Sequence, residues 1–240
     1  MIHKIVATIA PENILEETIQ NAIITHAEAI DIIELRVDQW TTVEKENVQA
    51  NIERLRALPA TFEILVTYRS SSQGGVGNTS TAHYWQHIES LVAMSEVHID
   101  MLDIEWHKDV SHTYYETLFT QAKERGIQVI LSYHDFEQTP AIDELKHMYY
   151  KMHALRPDYM KIAVMPNKKQ DVVTLLDALT ATAEVAPGQA IGISMSHMGT
   201  VSRIAQCAFG GVMTYGTLGE AHAPGQLHVS DLFAQRKYFK

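Results

Sequence analysis

The chain lacks several features that would assign it to other classes of protein. It has a single cysteine, Cys207, which excludes an internal disulfide and makes a reducing cytoplasm the expected location. An apolar stretch over residues 5–10 is stopped by Pro11 and Glu12, so it is too short for the core of a secretory signal peptide. These absences favour a cytoplasmic protein.

Positive charge is also scarce. The formal net charge is −10 at pH 7, and no basic cluster is larger than the pair Lys168 and Lys169. A chain of this charge is not expected to bind nucleic acid or an anionic membrane, since both require a basic surface. A small anionic substrate would need a local group of arginines.

Strand-like and helical patterns alternate along the whole chain. Its 240 residues, of which 46% are hydrophobic, are enough to bury a large core in one domain, which we predict to span residues 1–240. Strand-like runs cover residues 4–10, 31–38, 62–70, 98–106, 128–136, 159–166, 189–196 and 211–217. Helical spacing follows the strands and is clearest over residues 12–28, 44–58 and 111–125.

This alternation predicts an α/β protein with a closed (β/α)8 barrel, the TIM barrel. Strands that alternate with helices pair in parallel, and eight such units in 240 residues match the usual size of that fold. The main alternative is an open doubly wound sheet. It is disfavoured because the first turn reads Ala10-Pro11-Glu12 and contains no Gly-x-Gly-x-x-Gly phosphate loop.

Charged residues recur at alternate positions of the predicted strands. In the second strand Glu34, Arg36 and Asp38 alternate with apolar residues, so the apolar set can pack under helices while the charged set faces the barrel interior. The interior positions on five strands are Glu34, Arg36, Arg69, Asp103, Glu105, His134 and Lys161. Because each buried charge costs several kcal/mol unless it is paired, their convergence indicates an active site at the C-terminal ends of the strands.

Lys161 is the most unusual of these residues. It lies in an apolar run over residues 159–166, where an ammonium group has no evident partner. Burial disfavours the charged form of lysine and leaves a neutral amine that can form a Schiff base. A strand-end lysine that extends its ammonium to water is the alternative, and the other interior charges favour the Schiff-base interpretation.

The same residues occur in a series of motifs that resembles type I 3-dehydroquinate dehydratase in its short, single-domain bacterial form. The motifs are Glu34-Leu-Arg36-Val-Asp38, Thr67-Tyr-Arg69 before Gln73-Gly-Gly, Asp103-Ile-Glu105, Ser132-Tyr-His134-Asp-Phe, Lys161-Ile-Ala-Val-Met-Pro, Ser202-Arg203 and Ala223-Pro-Gly-Gln226. Each motif is weak by itself. Their order and spacing across the whole chain carry the resemblance.

The resemblance implies a hydro-lyase that converts 3-dehydroquinate to 3-dehydroshikimate in the shikimate pathway, as a homodimer. Lys161 would form an imine with the C3 ketone of this small anionic substrate. The protonated imine would be the electron sink, so neither a metal nor a cofactor is implied. His134 would remove the C2 proton and then protonate the departing C1 hydroxyl, since histidine can populate both forms near neutral pH.

The resemblance also assigns the other polar residues. Arg203 would bind the substrate carboxylate, and Gln226 belongs to a last loop that closes over the substrate. The further substrate-binding positions are Glu34, Arg36, Arg69 and His222, and the supporting positions are Gln73, Asp103 and Glu105. Gln73 stands where many members of the family carry a glutamate that pairs with the catalytic histidine, and His222 stands where serine is common.

Three other interpretations stay open. A class I aldolase also places a Schiff-base lysine on a barrel strand, but it would normally need a phosphate pocket or a catalytic water relay. A catalytically silent binding barrel would lack Lys161 or His134, and both are present. A metal enzyme could use Asp103, Glu105 and some of the 13 histidines, but no His-x-His or His-Glu-x-x-His spacing occurs at a strand end.

Overall fold

The strands form the predicted parallel barrel. The computed structural model describes residues 3–12, 14–40, 43–76, 80–94 and 97–239. The eight barrel strands are β1 (Lys4–Ile9), β2 (Ile32–Arg36), β3 (Glu63–Thr67), β4 (Met101–Glu105), β5 (Gln128–Asp135), β6 (Tyr159–Val164), β7 (Ala190–Ser194) and β8 (Met213–Thr217). Each lies within its predicted run, and the predicted (β/α)8 architecture is confirmed.

Parallel pairing follows the order of the chain. Neighbouring strands pair from β1 to β7, and β8 returns to pair with β1. Between β7 and β8 the N–H of Val212 donates to the carbonyl of Ala190 at 3.0 Å. A two-residue strand, β9 (Leu227–His228), pairs with the end of β8. The barrel thus brings the C-terminal ends of all eight strands to one face.

Helices cover the outside of the barrel. They are α1 (Glu17–Thr25), α2 (Lys45–Arg56), α3 (Thr81–Ala93), α4 (His112–Glu124), α5 (Ile142–Ala154), α6 (Lys169–Val185), α7 (Thr200–Ile204) and α8 (Val229–Arg236). Across the described ranges, none of the helices combines the length and the apolar character needed to cross a membrane. The predicted domain, residues 1–240, includes residues 1, 2 and 240, which lie outside the described part of the chain.

The first helix is shorter than the sequence pattern predicts. The pattern over residues 12–28 includes Asn13, which lies outside the described residues, and α1 begins only at Glu17. In the segment before it, the backbone N–H of Glu12 donates to the carboxylate of Glu16 at 2.8 Å. Leu15, in that segment, is buried in the core. Apolar spacing typical of a helix therefore begins before the helix itself, at the buried Leu15.

Two apolar layers confirm the predicted faces of the strands. Ile33, Leu35 and Val37 belong to the large outer core between strands and helices. The inner core of the barrel is made of Val6, Ile32, Leu65, Met101, Ile130, Ala163, Ile191, Ile193, Met195, Met213 and Tyr215. Polar side chains on strands β2 to β6 are buried with this second layer. Backbone alternation therefore puts apolar residues under the helices and charged residues inside the barrel.

Candidate active site

A pocket at the C-terminal face of the barrel brings the predicted polar residues together. Its polar lining consists of Thr8, Glu34, Arg36, Arg69, Gln73, His134, Lys161, Arg203, His222 and Gln226. Apolar side chains, among them Phe136, Ile193, Met195 and Tyr215, complete the wall. Asp103 and Glu105 lie next to the pocket and are fully buried. Residues that are far apart in the sequence thus share one cavity, as expected for the catalytic face of this fold.

Lys161 reaches the pocket from the middle of β6 with a side chain that is only 6% exposed. Its Nζ lies 3.8 Å from Oδ2 of Asp103, too far for a hydrogen bond. Burial lowers the pKa of Lys161 below its ordinary value. Asp103 and Glu34 oppose this shift of the pKa, whereas Arg69 and Arg36 reinforce it. The neutral amine is therefore a larger fraction near neutral pH than in an exposed lysine.

Arg69 is the centre of a buried charge network. Its guanidinium contacts Asp103 at 2.8 Å, Glu105 at 3.2 Å and the hydroxyl of Ser132 at 2.9 Å. Ser132 in turn donates to Oδ1 of Asp103 at 2.6 Å. Burial acts to lower the pKa of Arg69, but Asp103 and Glu105 more than offset it and raise that pKa above the ordinary value. Among the described residues, none donates a hydrogen bond to Oδ2 of Asp103, the carboxylate oxygen nearest Lys161.

Glu34 and Arg36 have separate partners. The two carboxylate oxygens of Glu34 accept hydrogen bonds from Thr8 at 2.7 Å and from Thr67 at 2.8 Å. Arg36 makes a two-pronged ion pair with Asp38, at 2.8 and 2.9 Å. Strand register accounts for the first of these contacts, because it places Thr8 on β1 beside Glu34 on β2.

His134 is oriented by Gln73. The carbonyl oxygen of the Gln73 side chain accepts the backbone N–H of His134 at 2.8 Å and lies 3.3 Å from Nδ1 of the ring. The amide nitrogen of Gln73 donates to the carbonyl of Trp106 at 3.4 Å, which sets the direction of the amide. Because a carbonyl oxygen can only accept, Nδ1 carries the proton and Nε2 keeps a free lone pair. His134 is thereby prepared to accept a proton.

The charge around His134 favours its neutral form. Burial lowers its pKa well below the ordinary value, and the positive charges of Arg69, Lys161 and Arg36 act in the same direction. Gln73 adds no negative charge that would oppose them. A neutral imidazole is therefore the dominant form at neutral pH, which suits a general base.

Arg203, on α7, is a buried cation without an acidic partner among the described residues. It is 1% exposed. Its guanidinium donates to the carbonyls of Tyr215 at 3.2 Å and Pro224 at 3.1 Å, while Nε has no partner in the described structure. Burial lowers the pKa of Arg203 to about 10. An unpaired buried guanidinium is costly, so this side of the pocket is suited to a carboxylate.

The loop after β8 lies over the pocket. The side-chain oxygen of Gln226 accepts the backbone N–H groups of His222 and Ala223 at 2.7 and 3.1 Å, and its nitrogen donates to Thr8 at 3.2 Å. Gly225 has a φ of +74°, and a Cβ there would lie 2.3 Å from the carbonyl oxygen of Ser196. Only glycine fits this close approach. Gln226 thus organises the loop and links it to the barrel.

The sequence interpretation did not assign Thr8 and Tyr215 to the site, although both line the pocket. Thr8 shares the interior face of β1 with Val6, so the two-residue period used for the other strands could have identified it. The residue type of Tyr215 did not indicate a functional site, because an aromatic residue on a predicted strand is normally part of the core. Within the described ranges, no group of three or more His, Cys, Asp or Glu side chains is arranged to hold a metal ion.

Comparisons with known proteins point to one family. The family model described as type I 3-dehydroquinase matches residues 7–238. Proteins named 3-dehydroquinate dehydratase from Staphylococcus epidermidis and Staphylococcus haemolyticus are each 44% identical over 236 residues. The match covers 98% of this chain in both cases, and 98% and 97% of the respective relatives.

Solved structures of the same family superpose on the chain over nearly its whole length. A type I 3-dehydroquinate dehydratase from Clostridium difficile, with covalently modified comenic acid, superposes with a TM-score of 0.83 and 29% identity, covering 99% of this chain and 92% of that one. The 3-dehydroquinate dehydratase of Enterococcus faecalis gives a TM-score of 0.83 and 28% identity over 100% of this chain and 95% of that one. The chain therefore belongs to the type I 3-dehydroquinases, a family of hydro-lyases built on the TIM barrel.

Proposed function

We propose that the protein, acting as a single-domain barrel and as a homodimer, dehydrates 3-dehydroquinate to 3-dehydroshikimate in the shikimate pathway. Family membership supports the reaction. The observation that carries the mechanism is the buried amine of Lys161 at the floor of a pocket that also contains His134 and the unpaired guanidinium of Arg203. These three groups supply a nucleophile, a base and a carboxylate-binding cation.

Lys161 forms the covalent intermediate. Its neutral amine attacks the C3 ketone to give a carbinolamine. The carbinolamine hydroxyl takes up a proton from the solvent and leaves as water, and the product is a protonated imine. The positively charged nitrogen withdraws electrons and acidifies the hydrogens on C2. Oδ2 of Asp103 lies 3.8 Å from Nζ and accepts no hydrogen bond from the described residues, so it is placed to stabilise this cation. The protein supplies the electron sink from its own side chain.

His134 moves the proton. Nε2, which is free because Nδ1 faces Gln73, takes the C2 proton, and the electrons of that bond move to the imine nitrogen to give an enamine. The imidazolium then protonates the C1 hydroxyl as the enamine expels it, which regenerates the imine and a neutral His134. Hydrolysis of the imine releases the product and the free amine of Lys161. One histidine thus serves as base and then as acid.

The remaining polar groups orient the substrate. Arg203 binds the carboxylate, since no acidic side chain competes for it among the described residues. Glu34, Arg36 and Arg69 are held rigidly by their own partners and present their free edges to the ring hydroxyls. The loop residues His222 and Gln226 lie above these groups and close the pocket. Preorganised groups of this kind favour the reacting geometry.

Borohydride trapping tests the proposal directly. Incubation with 3-dehydroquinate should produce 3-dehydroshikimate, and addition of borohydride should inactivate the enzyme and attach a substrate-derived group to Lys161. Peptide mass analysis locates the adduct, and a reaction with borohydride but without substrate is the control. An adduct on another lysine, or product formed with no adduct at all, would refute the imine mechanism.

A Gln73→Glu variant tests the role of His134 as base. The new carboxylate would lie beside Nδ1 and favour the imidazolium, so the pKa of His134 should rise. Because His134 must be neutral to take the C2 proton, the acidic limb of the pH profile of kcat/KM should move to higher pH by the same amount. The control is Gln121→Glu, an exposed position on α4. An unmoved acidic limb in Gln73→Glu would separate Gln73 from the proton transfer.

A further inference from the structure

Tyr215 makes a contact that the proposed mechanism does not use. Its ring, on β8, lies against Lys161, with Nζ 3.8 Å from the ring centroid. Tyr215 is 3% exposed, and its hydroxyl has no hydrogen-bond partner among the described residues. The phenol stays neutral, because burial raises its pKa well above the ordinary value. The contact is therefore between the nitrogen and the face of an uncharged aromatic ring.

The face of an aromatic ring attracts cations and does not attract neutral amines to the same degree. The negative side of the ring quadrupole points at the nitrogen, and the attraction is largest where water is excluded. Lys161 is in that situation, since its side chain is 6% exposed. The ring thus favours two species at this position, the ammonium of the free enzyme and the protonated imine of the intermediate.

Other charges around the nitrogen do not make this contribution redundant. Asp103 from β4 and Glu34 from β2 favour a cation at Nζ, while Arg69 and Arg36 disfavour it. His134, from β5, is held in its neutral form and contributes no charge. Burial also disfavours the cation. Because an imine is a weaker base than an amine, the same burial deprotonates an imine more readily than an amine. A neutral imine is a poor electron sink, so the reaction needs a further source of cation stabilisation.

We propose that the aromatic face of Tyr215 is the electrostatic partner of the Schiff-base nitrogen and keeps the imine at Lys161 protonated during proton abstraction. The inference rests on the proposed function in one respect, the existence of the imine. The same attraction acts on the ammonium of Lys161 in the free enzyme, and this requires no substrate. If Tyr215 only filled space, its ring would stabilise neither the ammonium nor the protonated imine.

The test replaces Tyr215 with phenylalanine and then with mono-, tri- and pentafluorophenylalanine. Fluorine withdraws electron density from the ring face with little change in shape, so the attraction for the cation weakens in steps. The first readout is the rate at which Lys161 is methylated by formaldehyde and cyanoborohydride without substrate, measured against pH by peptide mass analysis. The pH midpoint of this reaction should fall along the series by about one unit, so the amine becomes more reactive near neutral pH.

The second readout uses the reaction. Turnover requires a protonated imine and is lost as pH rises through the pKa of that imine. Because fluorination lowers this pKa, the alkaline limb of the kcat profile should move to lower pH by about one unit. An amine that becomes more reactive while turnover at alkaline pH falls is not a result that damaged packing produces. Tyr215→Phe should change neither midpoint by more than about 0.3 unit, since the ring face is retained.

Two controls keep the outcomes distinct. The same fluorinated residues at Phe119, which is buried in the outer core on α4, should leave both midpoints unmoved. If the wild-type enzyme gives no imine with 3-dehydroquinate, the proposed function fails, and the methylation series still tests the contact with Tyr215. Equal methylation midpoints across the Tyr215 series would overturn the inference. A Tyr215→Phe change as large as that of pentafluorophenylalanine would also overturn it, since the hydroxyl would then be responsible.

Discussion

A Lys161→Ala variant should lose turnover of 3-dehydroquinate by roughly 10⁴-fold or more and still bind it. Removal of a covalent nucleophile abolishes the route through the imine, and the other groups of the site cannot replace the electron sink. Arg203 and the groups that contact the ring hydroxyls remain in place, so affinity for the substrate should change much less than kcat. Steady-state rates and calorimetric titration measure the two quantities separately.

The matched control for this change is Lys146→Ala. Lys146 lies on α5, where it pairs with Asp177 at the surface with a side chain 41% exposed. Its loss should leave kcat and the affinity unchanged, because exposed ion pairs contribute little. If Lys161→Ala kept more than a small percentage of wild-type turnover, the reaction would not pass through an imine at this residue.

Replacement of His134 by alanine should separate proton transfer by His134 from imine formation by Lys161. Dehydration should fall by about 10²- to 10⁴-fold, the usual contribution of a general acid or base. The imine at Lys161 should still form, because the amine and the carboxylate-binding Arg203 are unaffected. Borohydride should therefore trap a substrate adduct on Lys161 in a variant that makes almost no product. Product assays and peptide mass analysis of the same sample give both results.

His147→Ala is the control for this variant. His147 is an exposed residue on α5, and its ring contacts Tyr150 on the surface. Its removal should change neither product formation nor trapping. Near-normal dehydration by His134→Ala would instead transfer the role of proton carrier to Glu105 or Asp103, which are the nearest acidic groups in the buried network.

The fold could be predicted because it depends on local patterns. In β2 the alternation of Glu34 and Arg36 with Ile33 and Leu35 assigns one face to the barrel interior and the other to the helices. This alternation follows from backbone geometry, so it requires no knowledge of the rest of the structure. The three- and four-residue spacing of a helix was less exact for α1, because Leu15 fits that spacing but lies before the helix, which begins at Glu17. Element boundaries depend on such local competition.

The candidate site was predictable only as a set of residues. The spacing of the motifs identified Lys161, His134 and the arginines, but it could not assign their partners. Arg36 pairs with Asp38 on the same segment, while Arg69 takes its carboxylates from β4. Both choices satisfy the rule that buried charges must be paired. Which acid neutralises which base depends on the register of neighbouring strands, and a list of motifs does not contain that information.

Closure of the barrel determines which side chains contact Lys161 and the loop above the pocket. Tyr215 reaches Lys161 because closure of the barrel brings β8 beside β7, one strand away from β6. Gln226 reaches Thr8 because β8 pairs with β1. Sequence periodicity assigns a side chain to a face, since the period belongs to the backbone of one strand. Distances across the interior arise only when all eight strands are in place, and they decide what surrounds the nitrogen of Lys161.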